Sequence, residues 1–308
     1  MSVKYEIIKW FFKTIGFKNR GTMCAEEIIA FKKKQNAKIG IPNIQDKQIQ
    51  VSRILVMDCP VIRMVHPGKT NKATLFITGG GMVGMPQPSM VKKALTFAKE
   101  TGTDVYFPYY PLCTDYPLTR AYEMIYETYK TMLREYRHTD ISVAGFSSGG
   151  NLGLGLIAYM NDVKSDLPRP GYILAVSPGS GPVSEEERIR LKALDAKDLL
   201  VSAEYISTAE KVMRYWGDVP DYMIFLQKGD FTNCPKVTFI YGTDEVLYAL
   251  APTFESVMKK YNVAYEMVVG EGMFHAYPAF PVVKESKEGW KQMIEIVRRN
   301  IGYQPEHV

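Results

Sequence analysis

The segment that decides the fold is "ISVAGFSSGGNLGLGLI", residues 141–157, where a strand pattern passes into a helix pattern through a glycine-rich turn. The apolar run "ISVAG" predicts a buried strand, and "SGGNLGLGLIAYMN" predicts a helix. Between them, Gly145-Phe146-Ser147-Ser148-Gly149 fits the pattern G-x-S-x-G. In that pattern a serine occupies a strained strand-to-helix turn, the nucleophile elbow, so its hydroxyl projects beyond the sheet. The segment therefore predicts Ser147 as a nucleophile, and the plain alternative is a tight turn without chemistry.

The composition is that of an ordinary globular protein, with 308 residues, 46% hydrophobic content and a formal net charge of +5. Charges of both signs are interspersed without a basic stripe, so we expect no nucleic-acid partner. The four cysteines are Cys24, Cys59, Cys113 and Cys234. They form no C-x-x-C pair and have no histidine at zinc-site spacing. We therefore expect reduced thiols, no metal site and a cytoplasmic protein.

The first twenty residues, "MSVKYEIIKWFFKTIGFKNR", are apolar but interrupted by charges. They lack the unbroken apolar core of a signal peptide, and no run in the chain reaches the length of a membrane span. Ile7, Ile8, Phe11 and Phe12 recur at helical spacing, which predicts an amphipathic helix docked on the body of the protein. Contact with a membrane surface is the alternative, but we expect no stable membrane insertion. The sequence leaves a homodimer open.

Strand and helix patterns alternate from about residue 48, which predicts an α/β fold with a mostly parallel central sheet flanked by helices. Residues 179–234 interrupt this rhythm with acidic, helix-prone pieces and no clear strand. We predict a single domain over residues 1–308, with a helical cap formed by about 1–45 and about 179–234. A cap at the carboxyl ends of the strands would cover a pocket, to which we assign Phe146, Tyr205 and Trp216. A surface embellishment without a role is the alternative.

A nucleophilic serine needs a histidine base and an acid that orients it. His275 lies in "GEGMFHAYPAF", a glycine-containing loop after a late strand, and is the best placed of the four histidines. Asp244 follows the strand "KVTFIYG" and its glycine, so we predict Asp244 as the acid, with the adjacent Glu245 as the fallback. The resulting chain order is serine, acid, histidine.

The stretch "ITGGGMVG" follows an early strand and predicts a loop whose backbone N–H groups bind a developing oxyanion. We assign Gly79, Gly80 and Gly81 to this oxyanion hole, together with the N–H of Ser148, which follows the nucleophile. A phosphate-binding loop is the competing interpretation. The glycine run lacks both G-x-G-x-x-G spacing and a following Lys-Ser/Thr, which disfavours it.

These motifs together resemble the hormone-sensitive-lipase-like branch of the α/β-hydrolase fold, the alpha/beta hydrolase fold-3 esterases. The family's His-Gly-Gly-Gly is similar to Thr78-Gly79-Gly80-Gly81 here, and its Gly-Asp-Ser-Ala-Gly-Gly is similar to "GFSSGG". "YYPLCTDYPL", "GTDEVL" and "GMFHAYP" resemble further family motifs. Two residues depart from the pattern: Thr78 replaces the histidine, and Phe146 replaces the acidic residue before the serine.

The resemblance implies an α/β-hydrolase fold, hydrolysis of carboxylic esters without metal or cofactor, and a cap over the acyl pocket. From it we expect a serine esterase that acts on small-molecule esters with small or short acyl groups. Two alternatives stay open: a non-catalytic small-molecule receptor on the same scaffold, and an amidase or peptidase. Retention of all three triad residue types argues against the receptor.

Overall fold

A computed structural model of the protein describes residues 23–68 and 70–302. The amphipathic helix predicted within residues 1–20 lies outside them, as does that part of the predicted cap. No helix within the described residues is long and apolar enough to cross a bilayer.

Within the described residues, eight strands form one sheet in the order β1-β2-β4-β3-β5-β6-β7-β8. Their bounds are β1 Gln50–Val56, β2 Cys59–Val65, β3 Ala73–Ile77, β4 Asp104–Pro108, β5 Ile141–Phe146, β6 Tyr172–Val176, β7 Lys236–Gly242 and β8 Tyr265–Gly270. β1 and β2 form an antiparallel hairpin, and β2 pairs antiparallel with β4. Every other pairing is parallel, so the predicted mostly parallel α/β sheet is confirmed.

The described α-helices are α1 Ala25–Asn36, α2 Pro88–Thr101, α3 Leu118–Met132, α4 Ser148–Asp162, α5 Glu185–Asp195, α6 Ala203–Met213, α7 Asp221–Ile224, α8 Ala251–Lys260 and α9 Lys284–Asn300. The apolar faces of α2 and α9 belong to one buried cluster, and those of α3, α4 and α8 belong to another. Neighbouring residues of β3 divide between the clusters, Leu75 on one side and Phe76 on the other, because side chains alternate along a strand. The sheet is therefore covered on both faces.

The segment 179–234 lies between β6 and β7 and carries α5, α6 and α7 without a strand, as its sequence predicts. Ser184 and Ser202 begin α5 and α6, where each hydroxyl accepts a hydrogen bond from a backbone N–H of the first turn. α6 packs against α1, and its buried Ile206 belongs to the same hydrophobic cluster as Ile28 and Ile29 of α1. The inserted segment is thereby held beside the carboxyl ends of the strands, where the site lies.

Candidate active site

Ser147 sits in the turn between β5 and α4 with φ 53° and ψ −123°, a conformation that non-glycine residues rarely adopt. The turn closes because its neighbours lack side chains. A Cβ on Gly145 would overlap the carbonyl oxygen of Gly149, and a Cβ on Gly149 would overlap that of Ile77. The glycines of the G-x-S-x-G pattern are thus sterically required, and the strained turn that the sequence predicts is present.

His275 lies in the loop after β8 and is buried beside the nucleophile. Its Nε2 is 2.9 Å from Ser147 Oγ, and its Nδ1 is 2.5 Å from Glu245 Oε2. Each separation is within hydrogen-bond reach. Serine, imidazole and carboxylate form one continuous line, the arrangement in which a histidine can take a proton from a serine while the carboxylate fixes its tautomer.

The carboxylate in this line belongs to Glu245, so the prediction that Asp244 orients His275 is corrected in favour of the fallback. The turn after β7 explains the exchange. The backbone N–H of Asp244 donates to the carbonyl of Met273 at 3.0 Å, and Glu245 is completely buried. Glu245 Oε1 accepts from the backbone N–H of Gly242 at 2.8 Å, which aims the other oxygen at the imidazole.

Ser177 follows β6 directly and braces the acid against the histidine loop. Its hydroxyl donates to Glu245 Oε1 at 2.7 Å and accepts from the backbone N–H of Ala276, next to His275, at 3.0 Å. Ser177 is fully buried and has φ 45°. The sequence interpretation did not single it out, although a serine directly after the strand "GYILAV" marks the sheet edge where ligands bind.

Asp198, in the inserted segment, supports the same turn from the other side. One carboxylate oxygen accepts the backbone N–H groups of Leu200 and Val201, at 2.8 and 2.9 Å. The other accepts that of Val246, adjacent to Glu245, at 2.7 Å. No local sequence signal marks this residue, because its partner lies 48 positions along the chain.

The two carboxylates change how readily His275 takes a proton. Burial lowers the pKa of His275, but the hydrogen bond and charge of Glu245, with the charge of Asp198, outweigh it and raise the pKa above its usual 6.5. Burial also raises the pKa of Asp198, against the opposing effects of the His275 charge and its backbone hydrogen bonds. The site therefore favours the imidazolium more than water does.

The predicted oxyanion loop lies directly against the nucleophile. A Cβ on Gly79 would lie 2.7 Å from both Phe146 O and Ser147 Cβ, so only a glycine permits this approach. Gly80 and Gly81 have φ values of 149° and 63°, which glycine adopts without strain. Gly79 therefore lies against the nucleophile turn, and all three glycines line the same cavity as Ser147.

Ser148 and Thr78 also contribute to the predicted oxyanion hole and its loop. Ser148 is the first residue of α4, where helix geometry leaves the backbone N–H without a partner in the preceding turn. Thr78, which departs from the family pattern, is buried, and its carbonyl accepts the hydroxyl of Tyr110 at 3.0 Å. The tyrosine thus supports the loop at Thr78, the residue that departs from the family pattern.

A cavity of about 480 Å³ opens over Ser147. Its lining is mainly apolar and includes methionines from several elements, among them Met82, Met85 and Met90. His275 and Lys32 are the only basic side chains in the described part of this lining, and no carboxylate reaches it. The cavity therefore suits an uncharged ligand with apolar groups.

The predicted pocket residues occupy different places. Phe146 and Tyr205 line the cavity, although the Phe146 ring also packs on Phe76 in the core, with centroids 5.0 Å apart. Trp216 lies outside the lining, so this part of the prediction is corrected. The residue is 48% exposed, and its Nε1–H donates to the carbonyl of Cys113 at 2.9 Å, which holds the ring at a position outside the cavity lining.

Residues 74–279 match the family model described as alpha/beta hydrolase fold. The match covers two thirds of the chain, and with the elbow, the histidine loop and the sheet order it shows that the protein belongs to the alpha/beta hydrolase fold-3 family. The resemblance in the motifs is thereby confirmed. No curated protein sequence matches the chain.

Solved structures of esterases share the fold. An esterase from the bacterial hormone-sensitive lipase family superposes with a TM-score of 0.74 at 19% identity, covering 90% of this chain and 98% of its own. An esterase/lipase from an uncultured bacterium gives 0.72 at 20% identity, covering 90% and 99%. A hormone-sensitive lipase from a metagenome library gives 0.72 at 17% identity, covering 91% and 99%. At these identities the similarity establishes the fold.

Proposed function

We propose that the protein is a serine esterase that hydrolyses small, uncharged carboxylic esters. The observation that carries the proposal is the unbroken line from Ser147 Oγ through His275 to Glu245, with separations of 2.9 and 2.5 Å. Family membership and the esterases that share the fold support it, and so does the apolar cavity above the serine.

In the proposed mechanism, Ser147 Oγ attacks the ester carbonyl while His275 Nε2 takes its proton. The tetrahedral intermediate collapses, His275 returns the proton to the leaving alcohol, and an acyl-enzyme remains. Water then attacks the acyl group by the same route and releases the acid. Glu245 holds Nδ1–H throughout and stabilises the imidazolium without becoming protonated.

We assign stabilisation of the oxyanion to backbone N–H groups of Gly79, Gly80 and Ser148, with Gly81 as a substitute donor. The assignment rests on the approach of the Gly79 backbone to the nucleophile and on the position of Ser148 at the first turn of α4. Loss of one such donor costs on the order of a hundredfold or more in kcat.

We further propose that the inserted segment 179–234 acts as a cap on a single catalytic domain. It contributes Tyr205 and Ile206 to the cavity, and α1 contributes Ile28 and Phe31. We also assign the protein to the cytoplasm, in keeping with its four unpaired cysteines.

The proposal is tested with Ser147→Ala and the matched control Ser148→Ala. We expect Ser147→Ala to abolish both hydrolysis of p-nitrophenyl esters and labelling by a fluorophosphonate, while circular dichroism shows a folded protein. Ser148→Ala keeps its backbone N–H and should retain both activities. Labelling that persists in Ser147→Ala would overturn the nucleophile assignment. Faster cleavage of anilides than of matched esters would favour an amidase.

Hydrolysis rates for p-nitrophenyl esters with acyl chains of two to twelve carbons, and for acetylated sugars, then define the acyl and alcohol preferences. Assays of the native protein decide between an esterase and a non-catalytic receptor. If it turns over no ester while a ligand raises its Tm, the scaffold serves as a small-molecule receptor and the esterase proposal is wrong.

A further inference from the structure

The hydroxyl of Tyr205 lies over the proposed oxyanion loop. Tyr205 belongs to α6 in the inserted segment, and a Cβ on Gly81 would overlap its hydroxyl oxygen, so this oxygen is in close contact with the Gly81 backbone. Tyr205 also lines the cavity above Ser147. The phenol thus reaches from the inserted segment to the glycine loop in the cavity that Ser147 also lines.

This hydroxyl is a hydrogen-bond donor that the described part of the protein leaves unused. The backbone N–H of Tyr205 is satisfied by Ser202 Oγ at 2.9 Å, but its side chain makes no hydrogen bond with residues 23–68 or 70–302. Burial raises the pKa of Tyr205 to about 12, so the phenol keeps its proton at neutral pH.

The cavity around Tyr205 favours a ligand that carries a hydrogen-bond acceptor for the phenol. The cavity-lining residues that follow Tyr205 in α6, Ile206, Ala209 and Met213, are apolar. Tyr205 is half-buried, and a ligand that accepts a hydrogen bond from its phenol gains affinity over an isosteric ligand that does not.

We propose that Tyr205 donates a hydrogen bond to a second oxygen of the substrate, so that the preferred esters carry an ether, hydroxyl or carbonyl oxygen close to the scissile carbonyl. This deepens the proposed esterase function and depends on the same cavity. Tyr205 acts here as a specificity-determining residue, because it selects among esters without taking part in the proton transfers.

Two isosteric pairs of esters test the proposal. On the acyl side, p-nitrophenyl methoxyacetate is compared with p-nitrophenyl butyrate, and on the alcohol side, 2-methoxyethyl butyrate with butyl butyrate. For each pair the ratio of kcat/KM, ether over hydrocarbon, is measured in the native protein and in Tyr205→Phe. Because both proteins act on the same two esters, the difference in intrinsic reactivity between the esters cancels when the two ratios are compared. We expect the ratio to fall about three- to tenfold in the variant for the pair whose oxygen meets the phenol.

Tyr215→Phe is the matched control, since it also removes one phenol hydroxyl from the inserted segment. Tyr215 is 44% exposed and packs edge-to-face against Trp216, and neither residue is in the cavity lining. Both ratios should stay at the native value in this variant. If neither ratio changes in Tyr205→Phe, or if both variants change them equally, the proposal is wrong.

Binding separates this proposal from the esterase assignment. Both pairs of esters are titrated calorimetrically into the Ser147→Ala variant and into the double variant Ser147→Ala/Tyr205→Phe. These variants lack the nucleophile, so the titration measures binding affinity without turnover. A loss of affinity confined to one ether would support the role of Tyr205 even if the native protein hydrolyses no ester. Hydrolysis of all four esters with unchanged ratios and affinities would keep the esterase and overturn the role of Tyr205.

Discussion

Replacement of Glu245 by glutamine should nearly abolish turnover while leaving the protein folded. The glutamine has the shape of glutamate, and its carbonyl oxygen can still accept from Ser177 Oγ and from the Gly242 N–H. Its amide group then faces His275 Nδ1, where the carboxylate oxygen lay at 2.5 Å. An amide donates at this position, so Nδ1 must accept and the ring proton moves to Nε2.

The expected loss follows from this change of tautomer. An imidazole protonated at Nε2 presents a donor to Ser147 Oγ and cannot take the serine proton. The same tautomer error in a serine triad reduces kcat by about 10⁴-fold. At about 1.36 kcal/mol for each tenfold change, this is roughly 5.5 kcal/mol of lost transition-state stabilisation.

Asp244→Asn is the matched control, because it removes the neighbouring carboxylate that the sequence interpretation preferred. Steady-state hydrolysis of p-nitrophenyl butyrate gives kcat for both variants, and thermal melting followed by circular dichroism confirms folding. We expect Asp244→Asn to lose less than about tenfold, since the carboxylate bonded to Nδ1 stays in place.

Two results would refute the reasoning. Glu245→Gln that retains more than a few per cent of native kcat would show that the carboxylate does not set the tautomer. A larger loss in Asp244→Asn than in Glu245→Gln would return the acid to residue 244.

Four further predictions follow from the site. Because a base must be unprotonated and the pKa of His275 is raised above 6.5, kcat/KM should fall as pH drops, with its midpoint above pH 6.5, and this midpoint should move to lower pH in Glu245→Gln. Ser177→Ala removes one hydrogen-bond donor from the buried carboxylate of Glu245, at a cost of about 1–3 kcal/mol in free energy. We therefore expect kcat to fall roughly ten- to a hundredfold in steady-state assays. Gly79→Ala should lose at least about a hundredfold in kcat, because its Cβ would lie 2.7 Å from the nucleophile's Cβ; native-like turnover would contradict this. Phe146→Ala should lower the free energy of unfolding in urea by about 3–5 kcal/mol, because the ring is 2% exposed and packed in the core.

The sequence predicts the elbow and the histidine loop because their signals are local. Gly145 and Gly149 are needed on either side of Ser147 by contacts within the turn itself and with β3. His275 follows a strand with a clear pattern, so the topology brings it to the same sheet edge. Each feature depends on a few consecutive residues and on the rule that parallel strands end together.

The choice between Asp244 and Glu245 could not be made in this way, because adjacent residues in a turn point in different directions. The direction here depends on a hydrogen bond from Asp244 N–H to Met273, 29 residues further along, and on the donors around Glu245. Trp216 illustrates the same limit for the pocket. Its aromatic character predicts a ligand contact, but a hydrogen bond to Cys113, 103 residues away, fixes the ring elsewhere.

The hydrogen bond from Val246 N–H to Asp198 bears on how this enzyme scaffold can be re-engineered. Exchange of the inserted segment for that of a relative is an attractive route to new substrates, since the segment enters between two strands and leaves the sheet intact. Here the exchange would also delete the carboxylate that holds the backbone next to Glu245. A chimera that keeps an aspartate at position 198 should retain its proton-transfer machinery, whereas one that omits it would change substrate choice and turnover together.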